Sequence, residues 1–92
     1  FAPPTEGRDQ AWVKSMDEYR AMYKRSIDDP EGYWGQRAEE LVTWEKKWDK
    51  VLEWDFTKPE IKWFAGGKLN MSYNCLDRHL TDGRRNKAAL IW

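Results

Sequence analysis

Asp28-Asp29-Pro30 is the tightest local constraint on this chain. A residue that precedes proline avoids helical geometry, so a helix arriving from the amino side must stop there. Proline is also well suited to the first position of a new helix, and an aspartate before it can cap that helix. The tripeptide therefore predicts two successive helices. Upstream, Ser15-Met16-Asp17-Glu18 has the spacing of a capping box, with Ser15 as N-cap and Glu18 reaching back to it. Met16, Tyr19, Tyr23 and Ile27 then recur every three or four residues and form one helical face. Downstream, Glu31 favours the first turn of the second helix, and Trp34, Ala38 and Leu41 line one side of it. Gly32 and Gly35 each weaken that helix by about 1 kcal/mol relative to alanine, so it must lean on tertiary contacts.

The remainder is punctuated by glycine, proline and asparagine. Trp44, Trp48, Val51 and Leu52 predict a short further helix, followed by a turn-rich connection over Trp54–Pro59. Ile61–Ala65 reads as a short strand stopped by Gly66-Gly67, and Asn70 as the cap of a helix over Met71–Leu80. Met71, Cys75, Leu76 and His79 fall on the apolar side of that helix. Thr81–Asn86 is a polar loop, and Ala88–Trp92 has the composition of a buried strand. A buried strand with no strong partner before it predicts a fold that continues elsewhere. The residues thus describe a mainly α chain with one or two short strands, entered by a flexible lead-in over residues 1–14.

Composition says what such a chain can bury. Leu, Ile, Val and Phe number only 15 of 92 residues, a disorder-like share were net charge high. Net charge is zero, however, and seven Trp and four Tyr supply the missing apolar area. Each Trp can bury on the order of 150–250 Å². Sixteen basic and sixteen acidic residues cancel, leaving no positive field to attract nucleic acid or an anionic membrane. No apolar run approaches the ~20 residues needed to span a bilayer. A single Cys cannot form an internal disulfide, which favours a reducing compartment, the cytoplasm.

Chemistry-bearing residues are sparse. Asp77 and His79 are two apart and point to different faces of a helix, with no nucleophile beside them. Cys75, mid-helix on the apolar side, reads as a small core residue rather than an activated thiolate. One Cys and one His are too few ligands for structural zinc. Asp28-Asp29 and Glu39-Glu40 are adjacent rather than facing pairs, as caps and solvated helix surface are. Gly66-Gly67-Lys68 lacks the spacing and the Ser or Thr of a phosphate loop and reads as a tight turn. Arg84-Arg85 with Lys87 forms a small basic cluster in a solvated loop. We therefore expect no catalytic, cofactor-binding or metal-ligating residue here. The tryptophans fit either a free-standing interaction module or a surface that packs onto a larger body.

Several ordered blocks carry a resemblance. Tyr19–Ile27, Asp29–Trp34, Trp54-Asp55-Phe56, Ile61–Phe64 and, most specifically, Gly67–Asn70 continuing through Ser72–Leu80 resemble the amino-terminal region of AMP-forming acetyl-CoA synthetases. Propionyl-CoA synthetases resemble this region too, with a small residue where Cys75 stands; the Tyr73-Asn74-Cys75 triplet favours the acetate enzymes. The resemblance implies a two-step ligase within a larger α/β adenylate-forming fold. Acetate and Mg-ATP give acetyl-adenylate and pyrophosphate, and coenzyme A then displaces AMP. ATP, Mg and CoA would belong to the parent protein, whose nucleotide, acyl and catalytic-lysine motifs lie beyond Trp92. On this reading residues 15–86 are a structural segment, residues 87–92 are the first strand of the large domain, and the remainder of the parent is the partner. Alone, the segment is expected to be inactive, marginally stable and prone to self-association.

Overall fold

The computed structural model describes residues 6–92. The first five residues of the expected lead-in lie outside the described residues. Within its remainder Arg8–Gln10 form one exposed 3-10 turn.

The two helices form where their caps place them. Helix α1 runs Met16–Asp28, and the Ser15 hydroxyl accepts from the Glu18 N–H at 3.1 Å. Glu18 reaches one residue further than a capping box requires: its carboxylate accepts from the Lys14 N–H at 2.7 Å. Helix α2 runs Pro30–Leu41, with the Asp29 carboxylate accepting from the Gly32 N–H at 3.0 Å. Asp29 thus ends one helix and starts the next, and Arg25 and Arg37 stand 6.0 and 5.7 Å from the Tyr33 ring centroid.

The predicted helix over Trp44–Leu52 does not form. Lys50–Asp55 is instead strand β1, paired antiparallel with β2, Glu60–Ala65, in a register set by Leu52 opposite Trp63 and Trp54 opposite Ile61. The spacing of Trp44, Trp48 and Val51 suits a helical face, but Leu52 finds its strand partner, Trp63, eleven residues away. Phe56–Pro59 close the hairpin. Asp55 fixes this turn by accepting the Thr57 N–H at 2.9 Å and its hydroxyl at 2.6 Å. Lys46 and Lys68 form a further bridge beyond the hairpin, exchanging backbone hydrogen bonds of 3.1 and 2.9 Å.

Helix α3 is shorter than expected. The Asn70 cap forms, its side chain accepting from the Tyr73 N–H at 3.0 Å, but the α-helix covers only Met71–Cys75. Leu76 leaves helical geometry, and Asp77–Leu80 continue as a 3-10 turn. That break removes Cys75 from the interior: it is exposed, not a core residue. Thr81–Asn86 are irregular, as expected. Ala88–Trp92 pair with nothing among the described residues and form no strand here, and Leu90, Ile91 and Trp92 are largely exposed.

What packing exists is aromatic. Trp34 on α2 meets Trp63 on β2 edge-on at 6.3 Å, and Trp44, Trp48 and Phe64 lie within 5.0–5.5 Å of one another. Phe64 and Trp63 are 6.0 Å apart, which joins the two groups into one ladder of rings. Phe64 adopts φ 52°, a left-handed value in a strand that otherwise alternates faces. The Trp44 indole N–H donates to the Ala38 carbonyl at 3.0 Å. Gly35 lets the hairpin approach α2: a Cβ there would stand 3.3 Å from a Val51 methyl. Ala38 is the one buried hydrophobic side chain among the described residues.

Candidate functional site

The best-ordered polar site is centred on Asn74, which α3 and the Asn70 cap place against the strand-like segment after α2. Asn74 is 9% exposed. Its side chain reproduces a backbone pairing: Oδ1 accepts from the Thr43 N–H at 2.7 Å, and Nδ2 donates to the Thr43 carbonyl at 2.9 Å. Nδ2 also donates to the Asn70 carbonyl at 2.9 Å. Arg78 closes the group from the next turn, donating to Asn74 Oδ1 at 3.2 Å and to the Leu41 carbonyl at 2.9 Å. All these groups are satisfied by one another, which makes the site a clasp between distant segments rather than a ligand pocket. In the sequence Asn74 stands out only within the block that carries the resemblance. Its partner lies 31 residues away, and periodicity carries no trace of such a pairing.

His79 and Asp77 do not form a pair. Both lie on the 3-10 turn, and His79 Nδ1 is 2.9 Å from Asp82 Oδ2 instead. Asp82 also accepts the Arg84 N–H at 3.2 Å. The His79 hydrogen bond first, and then the Arg84 N–H and guanidinium, hold the Asp82 carboxyl below its ordinary value. This is a base oriented by a carboxylate, but no nucleophile completes it. The neighbouring Thr81 hydroxyl donates to the Arg78 carbonyl at 2.9 Å. Cys75 shares a shallow groove with His79, Arg84, Arg85 and Lys87 without a hydrogen bond to the imidazole among the described contacts. The basic cluster sits on exposed loop.

Gly66-Gly67-Lys68 does not fit a nucleotide phosphate. Such a loop needs free backbone N–H groups. Here the Gly67 N–H donates to the Phe64 carbonyl at 3.0 Å, and the Lys68 N–H to the Lys46 carbonyl at 2.9 Å. The glycines serve the turn. Gly66 has φ +78°, and a Cβ on Gly67 would come within 2.8 Å of the Trp44 ring. Among the described residues, no group of three or more His, Cys, Asp or Glu is placed to hold a metal ion. No helix of the described chain is long and apolar enough to cross a membrane.

An aromatic ladder, three side-chain-capped helices and a polar clasp make up the ordered part of the described chain, and its family is known. The family described as the acetyl-coenzyme A synthetase N-terminus matches residues 19–75, and the chain belongs to that family. Among curated relatives, the acetyl-coenzyme A synthetase of Leptospira biflexa is 59% identical over 78 residues, 85% of this chain and 12% of its own length. That of Magnetococcus marinus is 55% identical over 76 residues, covering 83% of this chain and 12% of the relative. The protein of that name from Alkalilimnicola ehrlichii is 51% identical over all 92 residues, 14% of its length. The chain thus spans about an eighth of the length of these relatives.

Proposed function

We propose that this chain is the amino-terminal structural segment of an AMP-forming acetate–CoA ligase. The parent would join acetate to Mg-ATP, forming acetyl-adenylate and releasing pyrophosphate, and would then transfer the acetyl group to the thiol of coenzyme A as AMP leaves. The observation that carries this reading is similarity across the whole chain to proteins named acetyl-coenzyme A synthetase, at 51% identity over 92 residues. The chemistry requires charge stabilisation around a phosphoryl group. We assign the reaction to the rest of the parent, since this chain spans only 12% of the length of its relative from Leptospira. The segment's part is packing. Ala88–Trp92 would become a strand only when the large domain supplies its partner, and the parent would work in the cytoplasm. Without that body the segment would be marginal and self-associating.

The test uses the full-length gene product. Pyrophosphate release should require acetate, and AMP and acetyl-CoA should accumulate once CoA is added, with acetate preferred to propionate. The 92-residue chain alone should do neither. Acetate-independent pyrophosphate release, or a preference for propionate, would refute the assignment.

A further inference from the structure

We infer that the Met16–Tyr19–Tyr23–Ile27 face of α1 is the surface by which this segment seats on a later, apolar part of its own polypeptide. The inference rests on the reading of the chain as the amino-terminal part of a longer ligase. A helix on the outside of a protein turns its polar face to solvent. Here α1 exposes its apolar face as well as its charged one. The smaller Met22 and Ser26 are half-buried toward the molecule, while Met16, Tyr19, Tyr23 and Ile27 are between 52% and 63% exposed. Trp34 and Trp63 already meet across α2 and the hairpin, whereas among the described residues Tyr19 and Tyr23 of the α1 stripe pair with no aromatic ring outside their own helix. The stripe continues into a groove formed with Gly7, Ala11 and Val13.

The stripe is both pre-ordered and uncharged. The Tyr19 and Tyr23 rings stack at 6.2 Å with planes 19° apart, so docking would freeze little further motion. Charges beside the stripe are neutralised within the helix, Arg20 by Asp17 and Lys24 by Asp28. A neutral aromatic platform suits an apolar protein surface and not a polyanion.

The exposed surface of the whole chain argues for a large occupant, and the α1 stripe is part of that surface. The chain exposes 8530 Å², whereas a compact monomer of 11.1 kDa exposes about 5,650 Å². The surplus, about 2,900 Å² on that scaling, exceeds severalfold the roughly 800 Å² that one side of a standard interface covers. A second copy docking once leaves most of it bare. The bulk of the parent can cover it: this chain spans 12% of the length of its relative from Leptospira, and the matched family is an amino-terminal one.

Hydroxyl-radical footprinting of the full-length polypeptide tests the assignment, because methionine and tyrosine report directly. Oxidation of Met16, Tyr19 and Tyr23 is read by mass spectrometry relative to the free peptides of the same digest. A docked face should oxidise at less than about a tenth of the peptide rate, unchanged over a hundredfold dilution. Rates near half those of the peptides would match the exposure seen here and overturn the inference. Protection that disappears on dilution would also overturn it, by assigning the face to a second copy. Acetate-dependent activity of the same sample separates the two claims. Protection without activity refutes the ligase and keeps the docking face; activity without protection does the opposite.

Discussion

Single residues hold this segment together through polar bonds more than through burial. Asn74 is the clearest case, since its amide completes both halves of a backbone pairing with Thr43. Asn74→Ala leaves a donor and an acceptor unsatisfied at a partly buried position and should cost about 2–3 kcal/mol. On a chain with so little buried surface, the cooperative part of urea unfolding followed by Trp fluorescence should disappear. Asp55 makes a milder test. The Thr57 hydroxyl is the first cause of its lowered pKa, followed by the Thr57 N–H. A carboxyl depressed in the folded state adds stability that is complete above its ordinary value of 3.8 and is lost as pH falls through the lower folded value. Thr57→Val should therefore move the Asp55 pKa back up toward 3.8 in an NMR titration. An unmoved pKa would show that the hydroxyl does not support the turn.

Between elements, the decisive contact is α2 against the hairpin. Gly35 makes it possible, with Val51 3.3 Å and Trp48 3.6 Å from where a Cβ would stand. Gly35→Leu should force the two apart, costing about 1–3 kcal/mol despite leucine's better helix propensity. The measurement is the near-ultraviolet circular dichroism of the Trp ladder, which should weaken while the helical signal persists. The same elements show what was legible in the sequence. Ser15, Asp29 and Asn70 cap the helices as read, because a cap is completed within three residues. The strand from Glu60 was visible between its turn and Gly66-Gly67. The first strand was not, because Trp44, Trp48 and Val51 fit a helical face equally well and the pairing partner is distant. Cys75 was misplaced for a related reason: the helix breaks at Leu76, and no proline or glycine marks the break. In the site, the absence of a His79–Asp77 pair was legible from spacing. The Asp82 partner, across a turn, and the Asn74 clasp, 31 residues long, were not.

At the scale of the whole molecule, the dimensions show how little of the segment is enclosed. A compact chain of 92 residues has a radius of gyration of about 12 Å, and this one has 17.8 Å. Its aromatic ladder braces α2 and the hairpin, α1 is half-buried only along its Met22 and Ser26 side, and the carboxyl-terminal Leu90, Ile91 and Trp92 are largely exposed. The central claim is that this segment supports a reaction carried out elsewhere in its parent. Cys75 and His79 are the residues here best equipped for chemistry, so the direct measurement is the acetate-dependent pyrophosphate release of full-length Cys75→Ser and His79→Ala variants, alongside their melting temperatures. The account predicts a kcat within about threefold of the unmodified enzyme for each, less than 1 kcal/mol of barrier. A fall of about a hundredfold or more in kcat with an unchanged melting temperature would contradict it, because it would place part of the catalytic machinery inside these 92 residues.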